Sequence, residues 1–347
     1  DEEEETVRVD LEQIRYDLKG EYRLADAGQL RFNIARNDYE HVELEGDEIG
    51  TMFDSKGTDM RIEFQHQPVG GFEGTIGLQY KNVDFVAAGE EAFVPPSDTQ
   101  ETSLFAFEEW RPNDLWTLQA SARIENVQID APSLPGYDDT ALGLSIGTIR
   151  SLGDTYSVAL NYALTERHPN ASELYADGAH IAVQRFERGS AVQGLGLFNK
   201  ETSSNVDLTF RGESKRIEWS VTAFLNDIDD YILLRPTPAF EEDLQVFEYT
   251  QTDARLYGFE GEARIELLDS DSGHLHTRLF TDFVYGEDEN TGAYLPRITP
   301  LRYGIGLHYT RDGFSAATEA MFHSDQDKTA SNELPTDSYT LVNAELS

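Results

Sequence analysis

Tyr156-Ser157-Val158-Ala159-Leu160-Asn161-Tyr162-Ala163-Leu164-Thr165 decides the fold. Large apolar side chains stand at every second position, and small or polar ones fill the places between. In an extended chain successive side chains point to opposite faces, so this stretch is a strand with one greasy and one wet side. The pattern recurs in both directions. Leu30, Phe32 and Ile34 alternate with Arg31 and Asn33, and Phe72, Ile76, Leu78 and Tyr80 share one parity. Trp116, Leu118, Ala120, Ala122 and Ile124 face away from Thr117, Gln119, Ser121 and Arg123. Leu142, Leu144 and Ile146, then Val206, Leu208 and Phe210, and finally Leu301, Tyr303, Ile305, Leu307 and Tyr309 repeat it. The first strand changes parity between Val7, Val9, Leu11 and Ile14, Tyr16, Leu18, which predicts a bulge near Glu12–Gln13.

The connections follow a second rhythm. Short turns rich in Gly, Pro, Asn or Asp fall near 25–28, 67–71, 111–114, 152–154, 212–215, 269–273 and 311–313. Longer loops lie between them, near 40–57, 87–98, 130–138, 167–201, 232–246, 286–297 and 323–337. Strict alternation of short and long connections is the mark of a transmembrane β-barrel, whose two rims face different compartments. Many strands exceed the ~10 residues a tilted crossing needs. Tyr22, Trp110, Trp116, Tyr156, Trp219 and Tyr309 sit near strand ends, as an interfacial aromatic girdle requires. The expectation is an all-β, antiparallel transmembrane β-barrel of about fifteen consecutive strands spanning residues 1–347. A large soluble acidic β-protein used for binding is the alternative, and detergent dependence separates the two. An odd strand count and a chain that stops within the strand-like stretch Tyr339–Leu346 suggest that closing strands lie outside this sequence.

Composition bounds the function. The 27 basic and 65 acidic side chains give a net charge of −38, which argues against nucleic acid and against a polybasic membrane anchor. The absence of cysteine excludes disulfides, thiol catalysis and Cys-based zinc sites. The 16 Tyr and 19 Phe are too many aromatics for a disordered chain. No apolar run approaches a membrane-spanning helix, and the acidic run from Asp1 to Glu5 has no signal-peptide pattern.

One segment resembles a known family. Glu166-Arg167-His168-Pro169-Asn170-Ala171-Ser172-Glu173-Leu174-Tyr175-Ala176-Asp177-Gly178-Ala179-His180 is similar to a signature of TonB-dependent outer-membrane receptors. Phe186-Glu187-x-Gly189, the run Glu201–Leu208, the run Asn226–Ile232, Tyr249–Glu260, Leu295-Pro296-Arg297-Ile298-x-Pro300 and Pro335-Thr336-Asp337-x-Tyr339-Thr340-Leu341 follow in matching order and spacing. Tyr39-Glu40-His41-x-Glu43-x-Glu45-Gly46, Glu90-Glu91-Ala92-Phe93-Val94-Pro95-Pro96 and Ala176-Asp177-Gly178-Ala179-His180 resemble the zinc-uptake subgroup. The resemblance implies a monomeric barrel of 22 strands in the outer membrane of a Gram-negative cell. It also implies an N-terminal plug inside the barrel and import energised through TonB. The plug, the TonB-contacting segment and a closing aromatic strand have no counterpart in these 347 residues, so coupled transport is not expected of this stretch alone.

The candidate sites are acidic and histidine-bearing. Residues 40–54 hold Glu40, Glu43, Glu45, Asp47, Glu48 and Asp54, no Lys or Arg, and His41. Carboxylates with imidazole suit a borderline divalent cation such as Zn²⁺, although most charge runs are simply solvated. His180 and Asp177 lie in the 35-residue connection 167–201, too long for a plain turn. The zinc-receptor resemblance makes His180 the first barrel ligand, with partners from 40–48 and from the plug; a histidine that merely packs the loop is the competing reading. The metal-site candidates are therefore His180, Asp177, His41, Glu43 and Glu45. His274-x-His276 flanks a short turn, and Asp227, Asp229 and Asp230 lack the Gly and Glu of a calcium loop. Asp253, Arg255 and Glu260 are expected to line the lumen as a charge ladder, while His66, His308 and His323 read as isolated. No Gly-x-Ser-x-Gly elbow, phosphate loop or His-Glu-x-x-His helix is present, so an enzyme is not expected; a triad assembled from separate strands is the exception that sequence leaves open. The functional expectation is an outer-membrane receptor capturing zinc or a zinc complex, with zinc as cargo and no cofactor required. Siderophore, haem and oligosaccharide receptors are the alternatives.

Overall fold

The computed structural model describes residues 7–45, 48–89, 92–180 and 183–347. The first eight strands run consecutively: β1 (Val7–Arg23), β2 (Gly28–Glu45), β3 (Glu48–His66), β4 (Phe72–Gly89), β5 (Ser97–Asn113), β6 (Trp116–Asp130), β7 (Tyr137–Leu152) and β8 (Tyr156–Arg167). A helical turn α1 (Ala171–Tyr175) and two four-residue strands, β9 (Asp177–His180) and β10 (Arg185–Arg188), follow. The wall resumes with β11 (Glu201–Glu213), β12 (Ile217–Glu241), β13 (Leu244–Ser270) and β14 (Gly273–Asp288). It continues through β15 (Arg302–Arg311), β16 (Phe314–His323) and β17 (Tyr339–Leu346). Setting aside β9 and β10, fifteen long strands form the wall among the described residues, as the alternation predicts.

Each wall strand pairs antiparallel with the next, and β8 pairs directly with β11 across the intervening loop. The register carries the greasy face from strand to strand. Ile62, Leu78, Leu104, Ile124 and Leu142 are successive cross-strand partners, and so are Ile146, Tyr162, Val206, Leu225, Tyr257 and Tyr285. Leu104 is 49% exposed and Ile146 64%, values no aqueous core would leave. A continuous band of this kind needs hydrocarbon outside it.

The opposite face is polar. Arg61 donates to Glu63, Lys81 to Glu101, Arg278 to Glu262 and Arg302 to Asp282, at 2.8 to 3.1 Å. Aromatic rings on this face sit against arginines: the Arg61 guanidinium lies 4.2 Å from the Phe105 ring centre and that of Arg123 5.9 Å, and Arg278 lies 4.8 Å from that of Phe280. At the short-turn rim Phe72 stacks on Trp110 with ring centres 5.3 Å apart, and Phe210 lies between Tyr156 and Trp219. These rings form the expected girdle.

Four expectations change. First, β1 pairs with β2 in one unbroken register from Arg23↔Gln29 to Val7↔Glu45, so there is no bulge at Glu12–Gln13. Ile14, Tyr16 and Leu18 lie on the outer face, while Val9 and Leu11 sit opposite Glu43 and His41 on the inner one. Polarity inverts along a straight strand because its upper half has left the bilayer, where water lies outside the wall and the mouth encloses the inside. Second, the stretches 40–57 and 232–246 are mainly strand. β12 and β13 run 25 and 27 residues, so about half of each stands beyond the ~10 that cross a membrane. Acidic residues and prolines mimic a loop there; Pro236 is absorbed at a register shift between Pro236 and Phe240.

Third, Arg255 shares parity with outward Tyr257 and Phe259, whereas Glu260 faces inward. Arg255 bonds Asp227 at 2.6 Å and Glu289 at 2.8 Å, so the charge ladder exists, but on the outer face above the band. Fourth, His308 is not isolated: it lies directly across from His276 with the rings stacked 4.8 Å apart. His274 instead meets Asp269 at 2.7 Å.

Candidate metal-binding rim

The connection from Arg167 to Glu201 is a folded cap on the long-loop rim, and its sequence explains how. Asn170 caps α1: its side chain accepts from the Glu173 backbone at 2.9 Å, and the Glu173 carboxylate accepts from the Asn170 N–H at 2.8 Å. The same carboxylate binds Arg167, whose guanidinium also binds Glu201. Two largely buried acids are therefore neutralised by one planar fork, a geometry lysine cannot supply. Leu174 and Tyr175 are fully buried against Val127, Ile129 and Tyr137 of β6 and β7. The Tyr175 hydroxyl donates to the Pro135 carbonyl at 2.8 Å. A Cβ on Gly189 would fall 2.4 Å from the Leu174 backbone, so only glycine lets the returning chain pass. The Arg-x-Pro…Glu-Leu-Tyr pattern is thus a clamp that docks the loop onto the barrel mouth. His168 belongs to it: Tyr137 Oη lies 2.9 Å from its Nδ1, and burial pushes the imidazole below its ordinary pKa.

On this platform β9 and β10 form a small hairpin, and β10 also pairs in parallel with β13 through Phe186↔Val246. Among the described residues that contact is the one parallel pairing in an otherwise antiparallel sheet. It buries Glu187, which is 1% exposed. One carboxylate oxygen accepts from Arg185 Nε at 2.7 Å and lies 2.9 Å from His180 Nδ1; the other accepts from Tyr249 Oη at 3.0 Å. Burial pushes this carboxyl up, but the bonds from His180, Arg185 and Tyr249 outweigh it and hold the group below the usual carboxylate range. His180 itself is part-exposed, and its ring stacks on Phe93 with centres 4.4 Å apart. Asp177 is exposed three residues earlier, on the other face of β9, with Arg188 3.8 Å away. The expected His180 and Asp177 pair therefore does not converge.

The second histidine lies on the projecting hairpin of β2 and β3. His41 and Glu43 share the inner face, with Nε2 3.8 Å from the carboxylate. Phe53, directly across, stacks on His41 at 4.3 Å, and the buried Nδ1 has no hydrogen-bond partner among the described residues. Glu40 and Asp54 pair with each other on the outer face, and Lys56 binds Asp54 at 2.9 Å. The acidic run is thus split between two faces. The side chains of Glu45 and Glu48, and residues Asp47, Glu90 and Glu91, lie outside the described residues. Among the described residues no group of three or more His, Asp or Glu side chains converges as a metal shell. The rim presents two separate pairs, His180 with Glu187 and His41 with Glu43. Glu187 is not marked as a donor by any pattern of residue types in the sequence, although Phe186-Glu187-x-Gly189 gives its place.

An exposed apolar belt and a polar inner wall define an outer-membrane type of β-barrel. The family model described as TonB dependent receptor-like, beta-barrel matches residues 3–347, and the chain belongs to that family. The family is one of outer-membrane transporters, not enzymes. Among solved structures the fold is similar to the copper transporter OprC, at 14% identity and a TM-score of 0.82, covering 95% of this chain and 58% of that one. It is similar to the FrpB iron transporter from Neisseria meningitidis, at 12% identity and 0.71, covering 96% and 56%. It is also similar to the siderophore receptor PirA from Acinetobacter baumannii, at 13% identity and 0.70, covering 97% and 56%. The chain therefore spans a little over half the length of these proteins.

Proposed function

We propose that this chain is the wall and outer mouth of a receptor that captures zinc, free or weakly complexed, for import driven through TonB. His180 on β9 and His41 with Glu43 on β2 are the donors offered by the barrel. Asp177 belongs to the same rim as an exposed acidic residue that gathers cations, and Glu45, whose side chain lies outside the described residues, is proposed from the sequence as a further acidic donor. A plug domain of the kind family members carry would complete the shell and couple to TonB. Zinc is cargo here, and no resident cofactor is invoked.

The observation that carries this reading is that His41 lies beside Glu43 on the inner face of the rim while His180 is held by the buried Glu187 carboxylate through Nδ1. Imidazole and carboxylate oxygen suit Zn²⁺, whereas Cu⁺ prefers sulfur. The chain has no Cys and only three Met, and the rim donors are nitrogen and oxygen. A net charge of −38 adds a field that concentrates cations at the mouth. The test is uptake of radioactive zinc in a receptor-deleted strain carrying the full-length gene. Zinc accumulation that depends on TonB supports the reading. Rescue by a ferric siderophore or haem, with zinc uptake unchanged, replaces it with the corresponding receptor class.

A further inference from the structure

Glu187 is an unusual group for a receptor loop. Its carboxylate is sealed from solvent, and its two oxygens meet side chains from three strands: His180 on β9, Arg185 on β10 and Tyr249 on β13. With three partners already on its oxygens and a side chain 2% exposed, it has no room to bind a metal itself. What it does is orient. A carboxylate is an acceptor only, so the ring nitrogen 2.9 Å from it must carry the proton. That places the hydrogen of neutral His180 on Nδ1 and the lone pair on Nε2.

The ring plane is set independently. Phe93 stacks on His180 at 4.4 Å with the two planes 15° apart. Gly178 makes that approach possible, since a Cβ there would fall 3.0 to 3.2 Å from Phe93. Gly178 is also the residue opposite Glu187 in the β9–β10 ladder. The Asp177-Gly178-Ala179-His180 segment thus supplies both the histidine and the space that lets an aromatic wall hold it. An imidazole fixed in tautomer by one contact and in plane by another is preorganised along a single donor direction.

We propose that Glu187 is a positioning residue for cargo capture: it locks His180 in the Nδ1–H tautomer so that Nε2 meets the metal, with Phe93 holding the ring plane. The proposal rests on the reading of His180 as a metal donor, and it adds which nitrogen binds and which buried residue makes it competent. Glu187→Gln keeps size and one acceptor oxygen but replaces the other with a donor and removes the charge that fixes the tautomer. Tyr249→Phe removes one contact to Glu187 while leaving the His180 contact in place.

The experiment uses the full-length receptor in detergent with ¹⁵N-labelled histidine and ZnCl₂ as the probe. The His180 resonances are assigned by their loss in His180→Ala. In the zinc-free wild type they should report a protonated Nδ1 and an unprotonated Nε2, and zinc should shift Nε2. Glu187→Gln should mix the tautomers and weaken zinc binding by about 10- to 100-fold, the usual range for a lost orienting partner. Tyr249→Phe should change affinity less than about threefold on the same scale. A wild-type His180 protonated on Nε2 overturns the proposal without recourse to any variant. So does an unchanged affinity and tautomer in Glu187→Gln. Unchanged affinity in His180→Ala instead removes His180 as a donor, which is a failure of the underlying reading and is recognisable as such.

Discussion

The bilayer wall and the 167–201 cap are built from the same chain by opposite rules. In the wall, Leu160 lies opposite Leu208 and Thr148, and neighbouring rows repeat the arrangement with different residues. Any large apolar side chain serves there, because the requirement is a face and not a partner. In the cap, Arg167, Glu173, Tyr175, Glu187 and Gly189 each have specified contacts that no neighbour duplicates. A membrane receptor needs both: a wall that tolerates change and a rim whose few polar groups are held in place.

The difference is sharpest at Arg167. Arg167→Ala leaves the Glu173 and Glu201 carboxylates buried without their cation, at a cost of about 3–5 kcal/mol. The cap should become protease-sensitive near residues 168–200 while the barrel keeps its heat-modifiable mobility in electrophoresis. Cleavage no faster than in wild type would show that the clamp carries no such load.

The wall makes the next test. Leu208→Arg puts a charge on the lipid face and should lower unfolding stability by about 2–4 kcal/mol if the site is near the midplane. Asn161→Arg, on the polar face beside Asp207, should stay within about 1 kcal/mol of wild type. Urea unfolding in lipid vesicles measures both, and equal losses would erase the distinction between the two faces.

The smallest effect is a pH response of the cap. Burial holds His168 below its ordinary pKa, so the folded loop prefers the neutral ring and the opened loop takes up the proton more readily. Its stabilising share is complete above about pH 6.5 and is lost as pH falls through the folded value. Hydrogen-exchange protection in 168–176, taken relative to the intrinsic exchange rate at each pH, should therefore fall between pH 7.5 and 5.5, and His168→Gln should flatten that response.

The same contrast explains what the sequence makes legible. Period-two alternation at Tyr156–Thr165 and its repeats is a local property, and it is enough to predict the wall, its faces and its fifteen strands. The projecting hairpins escape it because polarity inverts once β1 and β2 leave the bilayer, as at Val9 and Leu11. Acidic residues on β2 and β3 then read as loop although they are paired. Glu187 escapes for a different reason. Its burial depends on the parallel contact of Phe186 with Val246, which no local pattern encodes. His180 and His41 were visible as residue types, but their carboxylate partners followed only from the register.

Zinc titration of the full-length receptor by calorimetry addresses the central claim most directly. The wild type should bind zinc, and the His41→Ala/His180→Ala double variant should bind at least about 100-fold more weakly, the loss of two imidazole donors. Undiminished affinity in that double variant would contradict the assignment of the rim histidines as the capture site.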